Sequence, residues 1–170
     1  MSGRLTGKNT VITGAGAGLG FAIAQLFGRE AARVSMVDRD GDRVDQAAAE
    51  LCREGIDAVA FHADVADADS VGKAFGEIIG RYEGAIHVLV NNAGLAEFGS
   101  VEETSFGLWQ RIMAVNVTGI YLCAQAALPH MKTQGGSIVN MASIAGLIGI
   151  PSMAAYCASK GALIALPRQM

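Results

Sequence analysis

The sequence has 170 residues, of which 51% are apolar and 17% charged, and its formal net charge is −3. This size and composition predict one compact domain with a buried core and exclude a disordered segment. The small net charge, without a basic run, argues against a nucleic-acid or membrane-surface partner.

Short apolar runs alternate with helical stretches along the chain. The predicted strands are 10–12, 33–37, 58–62, 87–90 and 137–141, and the predicted helices are 19–29, 41–54, 70–82, 109–131 and a last one from about Ser152. Because the strands are apolar throughout rather than alternating, the pattern predicts an α/β fold, a Rossmann-like doubly wound parallel sheet with helices on both faces. No repeat or linker divides the chain, so residues 1–170 are predicted to form a single domain.

A glycine-rich turn, TGAGAGLG over 13–20, follows the first predicted strand. Glycines let the backbone approach a pyrophosphate closely, and the N–H groups and dipole at the start of the next helix attract the anion. The sequence therefore predicts that cofactor phosphates bind at Gly14, Gly18, Leu19 and Gly20. No Gly-Lys-Ser/Thr follows the turn, which excludes a phosphate loop of the nucleoside-triphosphate type.

Asp38 ends the second predicted strand, where an acidic residue accepts hydrogen bonds from the adenosine ribose hydroxyls. A carboxylate there repels the 2′-phosphate of NADP, so the sequence favours NAD. Arg39 follows directly and leaves NADP possible. Taken alone, the glycines and this acid would also fit an ordinary turn beside a surface aspartate.

Tyr156 and Lys160 stand four positions apart on the last predicted helix, so their side chains share one face. A free tyrosine is protonated at neutral pH, and a neighbouring ammonium favours the phenolate, which gives the pair acid–base character. Ser143 follows the fifth predicted strand, at the edge of the sheet where open α/β folds bind ligands. A Tyr-x-x-x-Lys pattern alone would equally fit an ordinary surface pair.

Five motifs occur in one order along the chain: Thr13-Gly14-xxx-Gly18-x-Gly20, Asn91-Asn92-Ala93-Gly94, Asn116, Ser143 and Tyr156-Cys157-Ala158-Ser159-Lys160. In this order and spacing they closely resemble the short-chain dehydrogenase/reductases, in their compact single-domain branch. The resemblance runs from about Leu5 to the last residue. Longer, epimerase-like members carry a glycine where Ala17 stands.

The resemblance implies an NAD(P)-dependent oxidoreductase that interconverts a secondary alcohol and a ketone, with the hydride chemistry supplied by the nicotinamide. By it, Tyr156 is the catalytic acid/base, Ser143 orients the substrate oxygen, and Lys160 also holds the nicotinamide ribose. Asn116 would hold a water that links Lys160 to solvent. The cofactor contacts that it implies are Gly14, Gly18, Leu19, Gly20, Asp38, Asp64, Val65, Asn91, Ala93, Gly94, Tyr156 and Lys160.

Simpler roles remain open for the asparagines. Asn91 and Asn92 also fit turn formers, and Asn116 fits a residue that hydrogen-bonds within a helix. The three histidines, at 62, 87 and 130, show no metal-ligand spacing, so no metal site is predicted. His87 stands where many relatives have an aspartate.

Weaker sequence signals bear on the cellular compartment, on a possible membrane span and on the oligomeric state. Three scattered cysteines without a Cys-x-x-Cys pair fit reduced thiols in the cytoplasm, and residues 1–8 lack the apolar region of a secretory signal. The uncharged stretch 133–159 is interrupted by polar residues and Pro151, so we predict a buried strand and helix there rather than a membrane span. The resemblance implies a homodimer or homotetramer at full length.

Two features at the C-terminal end depart from the family. Relatives are longer, and this sequence stops inside the helix that carries Tyr156 and Lys160, so the resemblance predicts a fragment whose last strands are missing. Their absence would expose a sheet edge and apolar helix faces. Pro167 is predicted to lie deep in that helix and to remove the bond to the carbonyl of Leu163.

Two hypotheses of function follow. The first is an enzyme that interconverts a small-molecule secondary alcohol and a ketone with NAD(H). The second is a truncated, catalytically weak nucleotide-binding or dimerising remnant of such an enzyme. The sequence does not name the substrate, although Leu147, Ile148, Ile150 and Met153 predict an apolar wall between Ser143 and Tyr156.

Overall fold

The core of the fold is a five-stranded parallel sheet, seen in a computed structural model that describes residues 3–169. The strand order is β3-β2-β1-β4-β5, and every pairing is parallel. The strands are β1 (Asn9–Thr13), β2 (Arg33–Asp38), β3 (Ala58–His62), β4 (Val88–Asn91) and β5 (Ser137–Asn140). The predicted Rossmann-like α/β fold is therefore confirmed.

Six α-helices connect and cover the strands in the described part of the chain. They are α1 (Gly18–Arg29), α2 (Gly41–Arg53), α3 (Ala68–Arg81), α4 (Phe106–Met113), α5 (Gly119–Ala127) and α6 (Ala154–Ala165). A π-helical turn, Ala114–Thr118, joins α4 to α5, and single 3₁₀ turns occupy Leu128–His130, Ile144–Gly146 and Leu166–Arg168.

Apolar side chains fill both faces of the sheet. On one face, buried residues of α1 and α2, such as Ala24 and Leu51, pack with Ile12 and Met36. On the other face, α3 and α5 pack over the sheet, with Phe75 fully buried. From β1 the chain adds β2 and then β3 on one side of the sheet. It then crosses to the other side of β1, where it adds β4 and β5, so the direction of strand addition changes between β1 and β4. Open α/β sheets bind their ligands at the carboxyl ends of the strands beside such a switch point.

The helices differ in whether a side chain caps their first backbone N–H groups, which affects the carboxyl edge of the sheet. Asp40 caps α2 by accepting from the backbone N–H of Arg43, and Asp67 and Ser105 cap α3 and α4 in the same manner. The residue before α1 is Ala17, which offers no side-chain acceptor. The first N–H groups of α1 therefore lack a side-chain cap and are available to an anion.

The end of α6 differs from the prediction. Pro167 was expected inside the helix, but α6 ends at Ala165 and Pro167 lies in the 3₁₀ turn Leu166–Arg168. The prediction of a helix interior at Pro167 is thus wrong. The ring forbids an N–H bond to the carbonyl four residues earlier, and the helix ends where that bond would be needed. β5 lies at one edge of the described sheet, where Val139 is 42% exposed.

Residues 106–130 form one continuous helical run that is long and apolar enough to cross a membrane, judged by length and composition alone. Its inner face is part of the protein core, since Ile120, Cys123, Ala124 and Ala127 are buried against the sheet. An apolar helix is expected in that position without a membrane. The sequence predicted one helix here and missed the π-helical turn in its middle.

His87, just before β4, predicts a measurable pH dependence. Its Nδ1 accepts a hydrogen bond from the backbone N–H of Asn9, which requires the neutral ring, and burial together with the nearby Lys8 lowers the pKa of the imidazole. The folded chain therefore binds this proton more weakly than the unfolded chain, so its stability is highest above the unfolded pKa of about 6.5 and falls below it.

The check is urea unfolding of wild type and H87Q at pH 7.5 and 5.5. Between these pH values the free energy of unfolding of wild type should fall by up to about 1 kcal/mol more than that of the variant. The difference is no larger because the site is only partly buried. Equal losses in the two proteins would show that the contact with Asn9 does not depend on the charge of His87.

Candidate active site

A cleft of about 320 Å³ lies at the carboxyl ends of the strands. The glycine turn after β1, the end of β2 and the loops after β3 and β4 form its walls. Its lining residues are Gly14, Ala17, Asp38, Arg39, Asp40, Arg43, Ala63, Asp64, Val65, Asn92, Ala93, Gly94, Leu95 and Val115. Six of the residues predicted to contact a cofactor thus line one cavity: Gly14, Asp38, Asp64, Val65, Ala93 and Gly94.

The glycine turn depends on two very close approaches. Gly14 has a φ of +64°, which L side chains rarely adopt, and a β-carbon there would lie 2.9 Å from Cα of Ala93. A β-carbon at Gly20, in the first turn of α1, would lie only 2.0 Å from the carbonyl oxygen of Gly14. The turn therefore packs against its own helix and against the loop after β4, with no room for a side chain at Gly14 or Gly20.

Asn92 holds this turn in place. Its side-chain N–H₂ group donates to the carbonyls of Thr13 (3.0 Å) and Gly14 (3.1 Å), and the hydroxyl of Thr13 accepts from the backbone N–H groups of Asn92 and Ala93, each at 3.1 Å. These bonds join the end of β1 to the end of β4. Asn92 was predicted as a motif member or turn former, without this role.

Asp38 is fixed at the cleft by two backbone donors. Its Oδ2 accepts from the N–H of Gly16 at 2.9 Å, and its Oδ1 accepts from the N–H of Asp40 at 3.1 Å. Each carboxylate oxygen keeps a second lone pair that a ligand hydroxyl can use. Arg43, which the sequence did not single out, lies on the same wall, with its Cγ 3.4 Å from where a β-carbon of Gly16 would stand.

Asn91 lies apart from the cleft surface. Its side chain is 1% exposed and donates to Oδ1 of Asn140 at 2.8 Å, which ties the end of β4 to the end of β5. Its own Oδ1 is buried and has no hydrogen-bond partner within residues 3–169. This geometry therefore does not support a contact between the Asn91 side chain and a cofactor. A contact through the backbone of Asn91 remains a prediction.

Tyr156 and Lys160 lie on α6 as predicted, with Nζ of Lys160 5.6 Å from the centre of the Tyr156 ring. Lys160 is only 6% exposed, and its Nζ donates to the carbonyl of Met141 at 2.5 Å. Burial lowers the pKa of this ammonium. A β-carbon at Gly94 would lie 3.8 Å from Nζ, so the lysine reaches the end of the cleft where Gly94 lies.

Asn116 lies in the π-helical turn and is completely buried. Its Oδ1 accepts from the N–H of Leu95 at 2.7 Å, and its Nδ2 donates to the carbonyl of Leu95 and to Oγ of Ser159, both at 2.9 Å. Both amide hydrogens therefore go to protein acceptors. The predicted water between Asn116 and Lys160 remains a prediction.

Ser143 begins the 3₁₀ turn after β5, where its Oγ accepts from the N–H of Ala145 at 3.2 Å. This bond uses an oxygen lone pair and leaves the hydroxyl hydrogen for a ligand. Leu147 and Ile148, which follow this turn, are 70% and 55% exposed, and the apolar wall expected from them remains a prediction. Backbone hydrogen bonds in a parallel bridge join Gly99 to the segment just before α6. They bring the loop after β4 to the same side of the sheet as Ser143.

The remaining predicted cofactor residues lie around the cleft rather than in its lining. Gly18 and Leu19 begin α1, with Leu19 68% exposed, and Gly20 is buried beneath the turn. Within residues 3–169, no cluster of three or more His, Cys, Asp or Glu side chains is arranged to hold a metal ion.

This fold and this cleft define a dinucleotide-binding α/β domain of the doubly wound class. The chain belongs to the short-chain dehydrogenase family, whose model matches residues 8–170. Members of this family are oxidoreductases that use NAD or NADP.

Individual relatives agree with this assignment. The chain is 48% identical over 174 residues to 2-(S)-hydroxypropyl-CoM dehydrogenase 3 of Xanthobacter autotrophicus, covering 100% of this chain and 67% of that protein. It is 50% identical over 149 residues to the inactive 2-(S)-hydroxypropyl-CoM dehydrogenase 2 of the same organism, covering 87% and 63%. It thus spans about two thirds of the length of these relatives.

A solved structure gives the same fold. A short-chain dehydrogenase/reductase from Burkholderia phymatum, crystallised in complex with NAD, superimposes with a TM-score of 0.93 at 32% identity. The match covers 98% of this chain and 59% of that one.

Proposed function

We propose that the protein is an NAD-dependent oxidoreductase that interconverts a secondary alcohol and a ketone. One observation carries the proposal: α6 places Tyr156 and Lys160 on one face, and the buried Lys160 reaches the end of the cleft where Gly94 lies. An acid–base pair at the end of a nucleotide cleft is the arrangement that hydride transfer to or from an alcohol carbon requires.

The cleft fits a dinucleotide. The uncapped start of α1 and the crowded glycine turn offer backbone N–H groups to a pyrophosphate, and a side chain at Gly14 or Gly20 would collide with neighbouring backbone. Asp38 offers carboxylate lone pairs to ribose hydroxyls at the other side of the cleft. Gly14, Gly18, Leu19, Gly20, Asp38, Asp64, Val65, Ala93 and Gly94 would hold the cofactor, with the backbone of Asn91 and the side chains of Tyr156 and Lys160 beside the nicotinamide ribose.

In alcohol oxidation a bound nicotinamide would supply the hydride acceptor, and the protein handles the proton. Tyr156, as phenolate, takes the proton from the alcohol oxygen, and its hydroxyl returns that proton in the reverse direction. Ser143 donates a hydrogen bond to the same substrate oxygen and orients it. The Lys160 ammonium stabilises the phenolate charge. Asn116 supports the loop at Leu95 and, through a bound water, links Lys160 to solvent.

The substrate proposed is a small secondary alcohol with an apolar side. The segment after Ser143 carries exposed apolar side chains, among them Leu147 and Ile148. The curated relative named above acts, by its name, on a secondary alcohol with a propyl carbon skeleton. The test is NADH formation at 340 nm with a panel of 2-propanol, 2-butanol, meso-2,3-butanediol, cyclohexanol and 2-hydroxypropyl-CoM. Absence of turnover with every alcohol and with the matching ketones would contradict the proposal.

A second candidate is a protein that binds the cofactor without turning over substrate, a catalytically weak remnant of such an enzyme. One observation favours it: a relative with 50% identity is named as inactive. Fluorescence titration with NADH separates the two candidates. Tight NADH binding together with no turnover on the panel would support the second candidate over the first.

The cofactor preference gives a direct prediction for Asp38. D38N keeps the shape of the side chain but removes the charge that faces the ribose, while Arg39 and Arg43 stay in the cleft wall. The ratio of kcat/KM for NAD over NADP should fall about tenfold to a hundredfold, since a hydrogen bond to a charged group contributes about 1.5–3 kcal/mol.

The matched control is E77Q, which removes one negative charge from the exposed side of α3. Its cofactor ratio should stay at the wild-type value. Two results would show that Asp38 does not select the cofactor. Wild type would use NADP as well as NAD, or the ratio of kcat/KM for NAD over NADP would be the same in D38N as in wild type.

Self-association is proposed for the face between the π-helical turn, α5 and α6. Val117, Tyr121, Ala162 and Leu166 line an open, mostly apolar groove there, and Tyr121 is 48% exposed. A homodimer or homotetramer would cover this surface. Light scattering after size-exclusion chromatography tests this, and a monomer at all concentrations would contradict it.

The cysteines support a reducing compartment, the cytoplasm, as the proposed location. Cys52, Cys123 and Cys157 are all free thiols in the structure. Cys123 is buried in the core, and its burial raises the pKa of the thiol to about 12, which keeps it unreactive.

A further inference from the structure

Ser159, between the two residues of the acid–base pair, is completely buried and makes two hydrogen bonds. Its Oγ donates to the carbonyl of Tyr156 at 2.7 Å and accepts from Nδ2 of Asn116 at 2.9 Å. A serine in a helix often donates back to a carbonyl of the preceding turn. The second bond is different, because it reaches another helix 43 residues away in the sequence.

The bond to Asn116 continues to the loop that lines the cleft. Asn116 pairs with both the N–H and the carbonyl of Leu95, and Leu95 follows Gly94 directly. The paired contacts with Leu95 fix which end of the amide carries the oxygen. The remaining Nδ2 hydrogen then points to Ser159. A continuous chain of hydrogen bonds therefore joins the carbonyl of Tyr156, through Ser159 and Asn116, to the wall of the cofactor cleft.

We propose that Ser159 is a positioning residue: through Asn116 it fixes the distance of α6 from the loop at Leu95, and so sets where Tyr156 and Lys160 stand relative to the bound cofactor. The inference rests on the proposed function for its effect on turnover. Removing the hydroxyl leaves one amide hydrogen of Asn116 buried without an acceptor, which favours a shift of the π-helical turn or of α6. The cleft residues that bind the adenosine half are not part of this chain of bonds.

The experiment compares wild type, S159A and S159T, with A158S as the control, in steady-state oxidation of the panel alcohol that wild type turns over fastest. Ala158 is exposed on the same helix, so its added hydroxyl meets solvent. S159A should lower kcat about tenfold with little change in KM for NAD, because a misplaced acid–base pair slows the chemical step without changing cofactor binding. S159T, which keeps the hydroxyl, should recover most of the loss, and A158S should match wild type.

An S159A enzyme with wild-type kcat would overturn the proposal, and so would an S159T enzyme no better than S159A. A second readout is independent of turnover. The side-chain amide resonances of Asn116, identified by their loss in N116A, should shift in S159A and not in A158S. If wild type shows no turnover at all, the proposed function fails, and these resonances decide the inference about Ser159: unchanged amide shifts in S159A overturn it.

Discussion

Y156F should lose about 10²- to 10⁴-fold in kcat while it still binds NADH, because the substitution removes only the phenolic oxygen that we propose carries the proton. The ring that packs beside Lys160 is retained, with Nζ 5.6 Å from its centre in the wild type. Tyr156 also lies outside the residues that line the cleft. The dissociation constant for NADH should therefore stay within about threefold of wild type, since its main contacts are untouched.

Tyr121 provides the matched control for the loss of a phenolic oxygen. It is 48% exposed on α5, and its hydroxyl accepts from Nε2 of Gln125 at 3.1 Å. Y121F should keep wild-type turnover. The measurement is stopped-flow NADH absorbance with the best alcohol of the panel. A Y156F enzyme that retains more than about a tenth of the wild-type kcat would exclude Tyr156 as the acid/base.

G20A should abolish NADH binding and destabilise the fold. Its new methyl group would lie 2.0 Å from the carbonyl oxygen and 2.7 Å from the carbonyl carbon of Gly14, both backbone atoms that cannot rotate away. The turn must move, and with it the part of the cleft wall that it forms. Overpacking of this kind costs about 1–3 kcal/mol in stability. NADH affinity should fall by more than about a hundredfold, because the anion contacts depend on the position of the turn.

Gly76 in α3 is the control for this substitution. It is exposed, and no atom lies within 4 Å of where its β-carbon would stand. G76A should therefore leave NADH binding unchanged and raise the free energy of unfolding by up to about 1 kcal/mol, because alanine favours the helix over glycine. Urea unfolding and NADH fluorescence give both quantities. Wild-type NADH affinity in G20A would show that the crowding at Gly14 does not shape the cleft.

Local signals were enough to predict the sheet and most helices. The strands differ from their predicted bounds by at most a residue or so, since each is a short apolar run between turn formers. The π-helical turn Ala114–Thr118 was missed, because an extra residue in one turn leaves the apolar pattern of a continuous helix almost unchanged. Pro167 was placed in a helix interior because no signal before it marks the end of α6 at Ala165.

For the site, the sequence predicted where the candidate residues lie in the fold better than it predicted the contacts that support them. The glycine turn, Asp38, Tyr156 and Lys160 could be found because each stands at a fixed offset from a strand or within one helix turn. The contacts of Asn92 with Thr13 and of Ser159 with Asn116 join residues 79 and 43 positions apart. No local pattern contains such pairs, and only the folded chain shows them.

The bonds between Asn92 and the glycine turn have a consequence for the thermodynamics of cofactor binding. The backbone of Thr13 and Gly14 is held by two hydrogen bonds from the side chain of Asn92. These bonds form when the chain folds, so most of the conformational entropy of this turn is lost at that stage, and the proposed dinucleotide would have less of it to remove. Such preorganisation would lower the entropic cost of binding phosphates at this turn.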